Sequence, residues 1–271
     1  MTEKTQRSVL RCVRVISLGL LIVAFSVSAT TTLTGREIME TQRKLHHLKD
    51  ESELRLMIMA DASGRERRRE LSGYVMSTNN DQYKLLLRFQ SPRDVRNTGL
   101  LVWENETGDA DQWLYLPAFH KVKRIPTSSK KNRFMGTDFA YEDLRRESLK
   151  LYDYKLIGSE TLDGLETFIV EARPSTEAVA SDSGYSRRKF WIDKERFLTL
   201  RAEFYDKAGR LWKVLTNKDF VHLQDAVWAP NEIEMRDVQN GTKTRVIIED
   251  RKVNQGLSSS LFTEMELRRG Q

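Results

Sequence analysis

"RKFWIDKERFLTLRAEFYDKAGRLWKVLT", Arg188 to Thr216, is the stretch that decides the fold. It divides into short apolar-polar runs that turn near Lys194-Glu195 and near Ala208-Gly209. Runs of this length with period-two patterning are strands, and strands joined by tight turns are antiparallel. The same grammar continues on both sides. Upstream, "ETLDGLETF" turns at Asp163-Gly164, and downstream "MRDVQNGTKTRVII" turns at Asn240-Gly241. Both dipeptides supply the positive backbone angles that two-residue hairpin turns require.

The first half follows the same pattern. "ELRLMIM" (Glu53 to Met59) puts Leu54, Leu56 and Ile58 on one face and Met57 and Met59 on the other. "YKLLLRF" aligns Tyr83, Leu85, Leu87 and Phe89, with Leu86 on the side of Lys84 and Arg88. "GLLVWEN", "DQWLYLP" and "HKVKRI" follow. Several strands are apolar on both faces, so the second face must also be covered or line a cavity. A meander of this kind curls into a barrel, a half-barrel or a sandwich.

One helix stands before the strands. In "TGREIMETQRKLHHL", Thr34 and Glu37 have capping-box spacing, and Ile38, Leu45 and Leu48, with Met39 and Gln42 alongside, form an apolar face that must be buried. Two segments interrupt the strands. "PSTEAVASDSGYSRR", Pro174 to Arg188, reads as a mobile loop. "KKNRFMGTDFAYEDLRRESL", Lys130 to Leu149, puts Phe134, Met135, Phe139 and Tyr141 among charges. Near the end, Leu261 and Phe262 can lay a last segment against the sheet.

The N-terminus has the layout of an export signal. Lys4, Arg7, Arg11 and Arg14 precede the uncharged run Val15 to Ala29, and Val27-Ser28-Ala29 fits a cleavage site. The run falls short of the ~20 residues of a membrane-spanning helix. The expected organisation is a signal over residues 1–29, cleaved near Ala29, and one domain over 30–271. The leader alone, with Glu3 its only acid, holds half of the formal net charge of +6. "GRERRRE", Gly64 to Glu70, is the densest basic run; it reads as a solvated hairpin end, with an acidic membrane surface as the alternative. The only cysteine, Cys12, lies in the leader, so the exported chain has no thiol chemistry and must be held by its core. An exported chain has little occasion to meet nucleic acid.

Catalytic signals are absent. The four histidines are His46, His47, His120 and His222, and adjacent positions on a helix diverge by about 100°, so His46 and His47 cannot share a metal. There is no HExxH, CxxC, GxSxG or glycine-rich phosphate loop. No metal, cofactor or catalytic set is expected. The aromatic residues Trp103, Trp113, Tyr115 and Trp191 read either as core or as the wall of a cavity for an acyl chain.

Three motifs resemble one family: W-x-Y-L-P-A at Trp113 to Ala118, K-x-K-R-I at Lys121 to Ile125, and F-M-G-T-D-F-x-Y-E-D-L at Phe134 to Leu144. They are similar to those of outer-membrane lipoprotein-sorting proteins of the LolA-like group, in the superfamily of the LolA and LolB carriers. The resemblance implies a mostly β fold with a few helices. Its strongly curved antiparallel sheet is an incomplete barrel, with helices over the concave side. It implies a periplasmic carrier, not an enzyme, that shelters acyl chains of a lipoprotein or another lipid on the way to the outer membrane. An inner-membrane lipid exporter, an outer-membrane acceptor and transient membrane contact are the implied partners. The alternatives are a periplasmic sensor or an accessory subunit of a lipid exporter, and a lipid hydrolase, which no motif supports.

Candidate cavity or lid residues are Met57, Met59, Trp103, Trp113, Tyr115, Phe134, Met135, Phe139, Tyr141, Leu144 and Trp191. Thr34 is the expected cap of the first helix, and Asp138 that of a short helix carrying Tyr141 and Leu144. Two readings of Phe134 to Leu144 stay open, a lid that moves with cargo and a packed plug.

Overall fold

The computed structural model describes residues 33–78 and 81–269. The export signal expected over residues 1–29, with Cys12 and Ala29, lies outside them. Thirteen strands form one antiparallel sheet: β1 (Asp50–Ala60), β2 (Glu66–Ser77), β3 (Tyr83–Ser91), β4 (Gly99–Trp103), β5 (Asp111–Leu116), β6 (Lys121–Arg124), β7 (Tyr152–Leu162), β8 (Leu165–Pro174), β9 (Arg187–Asp193), β10 (Thr199–Tyr205), β11 (Leu211–Gln224), β12 (Val227–Asp237) and β13 (Thr242–Val253). Among the described residues, three α-helices accompany them, α1 (Gly35–Leu45), α2 (Glu177–Asp182) and α3 (Glu264–Arg269).

The strand order is β6-β5-β4-β3-β2-β1-β13-β12-β11-β10-β9-β8-β7. Every neighbouring pair but one is consecutive in sequence. The exception, β1 with β13, joins the two halves in the middle, with Met57 opposite Val246. The two free edges, β6 and β7, are in turn consecutive in sequence. The chain from Ile125 to Leu151 therefore has to run from one edge of the sheet to the other, and it carries the F-M-G-T-D-F-x-Y-E-D-L motif across the sheet's inner face.

Alternation sorts the side chains as the strand patterns imply. On the inner face, Met57, Met59, Leu85, Leu87 and Phe89 join Val170, Phe190, Ile192, Phe204, Met235 and Val246 in one buried cluster. Contact between residues from both halves of the sheet requires it to curl. On the outer face, Leu86, Leu101, Trp113 and Tyr115 form a second cluster with Phe262 and Leu267 of the C-terminal segment. The sheet is thus an open, curled meander with both faces covered in its first half.

Helix α1 starts as its sequence dictates. The Thr34 hydroxyl accepts from the Glu37 backbone N–H at 3.2 Å, and the Thr34 backbone N–H donates to the Glu37 carboxylate at 2.7 Å. The helix ends at Leu45, so His46 is its C-cap and His47 lies beyond it. Ile38 and Met39 enter the inner core, each burial contributing about 1.5–3 kcal/mol. A Cβ on Gly35 would stand 2.7 Å from the Leu156 backbone nitrogen, so only glycine lets α1 rest directly on edge strand β7.

The segment Pro174 to Arg188 is not a loose loop, as its polar composition suggests. It forms α2, capped by Thr176, and then buries Ser183 and Tyr185. Ser183, Gly184 and Tyr185 find partners on the chain that crosses the sheet, which is why this end of the segment is buried, while Ser175, Thr176, Glu177 and Ser181 stay exposed.

Candidate functional site

The crossing chain begins with a tight turn. Met135 (φ 47°) and Gly136 (φ 74°) are both left-handed, the Thr137 N–H donates to the Phe134 carbonyl at 2.9 Å, and Arg133 bridges Ala140. The turn sits inside a four-residue loop closed by the Phe134 N–H donating to the Phe139 carbonyl at 2.8 Å, and glycine at its second left-handed position avoids the steric cost of a side chain there. Phe134 is fully buried, stacked on Phe89 at 5.8 Å and set edge-on to Tyr141 at 5.5 Å.

Asp138 caps no helix. Its carboxylate accepts from the hydroxyls of Thr242 and Thr244 on β13, the latter at 2.7 Å, and its N–H donates to Thr244 at 2.9 Å. It lies on the returning arm of the hairpin, and its carboxylate is aimed at the sheet. The 3-10 turn Tyr141–Leu144 that follows is closed by Asp143, which accepts from the Ala140 N–H at 2.7 Å.

Buried charges fasten this turn. Glu142 accepts from Ser183 Oγ at 2.8 Å, Gly184 N–H at 2.7 Å and Arg188 Nη2 at 3.1 Å. Asp143 accepts from the Tyr185 hydroxyl at 2.8 Å and lies 3.6 Å from Lys213 Nζ, which is fully buried. Burial, with Asp143 and Glu142 beside it, holds the Tyr185 phenol well above its usual pKa, so it stays a donor. Gln112 of β5 donates to the Tyr141 carbonyl at 2.8 Å. The hairpin and the 3-10 turn are therefore pinned to β5, β9, β11 and β13 together.

Past Leu144 the chain changes character. Between it and the sheet lies a cavity of about 330 Å³. Met57, Leu85, Leu87, Leu215, Ile233 and Val246 line its sheet side, and Phe139 and Leu144 its other side. Arg55, Asp143, Arg145, Arg146 and Asn217 supply polar groups at its margin. A second cavity of about 320 Å³ lies under α1, against Met39, Gln42, Leu48, Val75 and Leu149. Tyr83 and Arg146 belong to both walls, with the guanidinium 5.8 Å from the Tyr83 ring centre. Arg146 also pairs with Glu104 and, at 3.2 Å, with Asp81. Arg145 lies 3.3 Å from Asp109, which also accepts from Lys130 at 2.7 Å. Burial raises the Asp109 pKa, but Arg145 and Lys130 outweigh it and hold the carboxyl below its usual range. These pairs form a seam between residues 145–150 and the loops before β3 and after β4. The arrangement offers apolar volume with charged margins. Among the described residues, no group of three or more His, Cys, Asp or Glu is placed to hold a metal ion.

The expected site residues divide into three groups. Met57, Phe139 and Leu144 line the inner cavity. Met59, Phe134 and Tyr141 share its face but are packed solid, and Met135 is partly buried at the turn. Trp103, Trp113, Tyr115 and Trp191 do not line it. Trp103 and Trp113 meet edge-on at 4.9 Å under the C-terminal segment, and Trp103 Nε1 donates to the Phe262 carbonyl at 2.9 Å. Trp191 alternates with the inner residues Phe190 and Ile192 and so faces outward, donating to Glu160 under Arg201. The sequence reading does not single out Leu215, Ile233 and Val246 as cavity residues. Their signal is only their parity on strands whose inner face the aliphatic positions mark.

Comparison with known proteins agrees with the architecture. A family model described as "Uncharacterized protein" matches residues 81–269. No curated protein matches. An outer membrane lipoprotein-sorting protein domain from Vibrio parahaemolyticus has 32% identity and a TM-score of 0.82, over 87% of this chain and 98% of that one. A DUF1329 family protein from Desulfovibrio piger has 29% identity and a TM-score of 0.80, over 86% and 97%. A LolA superfamily protein from Nitrosomonas europaea shares the fold at 18% identity, with a TM-score of 0.68 over 87% and 100%.

Proposed function

Because the chain belongs to the LolA-like family of outer-membrane lipoprotein-sorting proteins, we propose that it is a periplasmic carrier that takes up acyl chains of a lipoprotein or another lipid and moves them toward the outer membrane. The observation that carries this reading is the apolar cavity between the sheet and residues 139–146. An acyl chain in water exposes surface worth about 0.8 kcal/mol per methylene, and a soluble carrier must return that by burial. The size fits the few-hundred-Å³ range of small-ligand sites. The second cavity, behind Tyr83 and Arg146, extends the same path under α1.

The proposal includes export, with a cleaved signal over residues 1–29 and one carrier domain over 30–271. It assigns different parts to the crossing chain. Phe134 to Asp143 is the plug that holds the curl, because its polar groups are buried in ion pairs and hydrogen bonds. Leu144 to Leu149, with the Tyr83-Arg146 contact, is the part that yields to cargo. Of the expected lid residues, Leu144 stays in that role and Phe134, Met135, Phe139 and Tyr141 support the plug. An inner-membrane donor and an outer-membrane acceptor complete the cycle.

The test is extraction of bound lipid from the exported protein, read by native mass spectrometry, with tryptophan emission followed as lipid is added. Recovery of acyl lipid that an Ile233→Trp variant no longer carries supports the carrier. Lipid-free protein that stays unchanged with added lipid or lipoprotein overturns it.

A further inference from the structure

The basic run Gly64 to Glu70 plays no part in the cavity, and its place in the fold gives it company. Ala60 pairs with Glu66, Arg88 with Gly99, and Leu116 with Lys121. The β1–β2, β3–β4 and β5–β6 turns therefore emerge at the same end of the sheet, two strand spacings or about 10 Å apart across it, with the β1–β2 hairpin continuing from Glu70, opposite Ser91, to the Ala60-Glu66 pair before it turns. All three are basic. Arg65, Arg67 and Arg68 are exposed on the first, Arg93 and Arg96 on the second, and Lys121 and Lys123 on the third. Against these seven stand Asp61, Glu66, Glu70 and Asp94. Arg65 pairs locally with Asp61 and Arg68 with Glu66. Arg67, Arg93, Arg96, Lys121 and Lys123 take part in none of the ion pairs found among the described residues.

At the apex of the third turn stands Phe119, 65% exposed. It follows Pro117 and precedes His120, whose left-handed conformation (φ 48°) turns the chain back into β6. An aromatic ring raised on a turn and flanked by cations has the chemistry of a group that enters the interfacial layer of a bilayer while its neighbours meet the headgroups.

We propose that this end of the sheet seats on an anionic lipid bilayer, with Phe119 inserted and the three turns spread over the headgroups. The match is one of charge. Unpaired cations on adjacent turns present a row of positive potential, and a bilayer with anionic lipids presents a continuous negative surface that needs no fixed register. Each basic residue near such a surface adds about fivefold to partitioning. The contact also falls away as salt shortens the screening length. The inference stands apart from the carrier reading, since it concerns a surface outside the cavities.

Flotation of the purified chain with vesicles tests it, using phosphatidylcholine alone and phosphatidylcholine with phosphatidylglycerol at low and high salt. The expected result is binding to the anionic vesicles that high salt abolishes. A triple variant, Arg67→Glu, Arg93→Glu and Lys121→Glu, loses at least about a hundredfold in partitioning, and Phe119→Ser loses severalfold. Lys218→Glu, an exposed charge change on β11, leaves binding unchanged. Thermal unfolding of each variant separates loss of the surface from loss of the fold. Equal binding to both vesicle types, no binding to either, or a triple variant that behaves like Lys218→Glu overturns the inference. Lipid extraction is a separate readout, so a protein that carries lipid but ignores vesicles defeats this proposal and leaves the carrier standing.

Discussion

The two faces of the sheet's first half are built from the same strands and end differently. On the outer face, Leu86, Leu101, Trp113 and Tyr115 are sealed by Phe262 and Leu267, with the Cδ1 of Leu267 seated where a Cβ on Gly99 would stand. On the inner face, Leu85 and Leu87 look across a cavity at Phe139 and Leu144. The outer cover is a short terminal segment that settles on bulky rings. The inner cover is tied at both ends to the sheet edges and pinned by buried ions, so it cannot settle onto every side chain beneath it. A cover constrained in this way leaves space. The aromatic-rich face is consequently the closed one, and the aliphatic face holds the volume.

The strongest way to break this contrast is at the pins. Arg188→Ala leaves Glu142 and Glu147 without their buried cation and should cost about 3–5 kcal/mol in denaturant unfolding. A loss below about 1 kcal/mol would mean that the pins do not hold the crossing chain. Next, Phe262→Ala empties a fully buried position on the outer face. It should cost about 3 kcal/mol and leave lipid recovery per folded molecule unchanged. A selective loss of cargo would show that the two faces are not independent. Leu215→Trp should do the reverse, filling the inner cavity, sharply lowering lipid recovery and changing stability by less than about 1.5 kcal/mol. Full cargo in that variant would move the lipid elsewhere. Thr34→Ala removes the capping box of the helix over the second cavity and should cost about 1 kcal/mol.

The smallest effect belongs to pH. Asp109 binds its proton less readily in the folded state than its ordinary value of 3.8 implies, with Arg145 and Lys130 the cause. Its stabilising contribution is complete above that value and is lost as pH falls toward the lower folded one. The seam at residues 145–150 should therefore loosen at acid pH before the sheet melts. Hydrogen exchange of Arg145 to Lys150 tests this, and an Asp109→Asn variant with an unchanged acid response would exclude Asp109 as the cause.

Strands, turns and the first helix are legible in the sequence because each depends on neighbours along the chain. Asp163-Gly164, Asn240-Gly241 and the Thr34-Glu37 pair need nothing distant to act. The landing of Leu261 and Phe262 on the sheet is legible too, as apolar residues after a polar run. Which face is inner is not, since alternation separates Trp113 from Leu114 without saying which one meets the far side of the curl. The fate of Asp138 is hidden for the same reason: a carboxylate in a short polar run reads as a cap, and its true partners, Thr242 and Thr244, lie about a hundred positions away. Ser183 and Gly184 read as loop because their partner Glu142 lies about forty positions away.

The pairing of β1 with β13 bears on the order in which the molecule assembles. Strands β1 to β6 and β7 to β13 can each zip by nearest-neighbour hairpins, but the ladder that joins them links residues such as Leu56 and Ile247. Contacts so far apart carry the largest loop-closure cost and form late. Two half-sheets with unjoined edges should therefore precede the closed molecule on the folding route, and the interval before β13 finds β1 is when the chain is most open to pairing with another copy of itself.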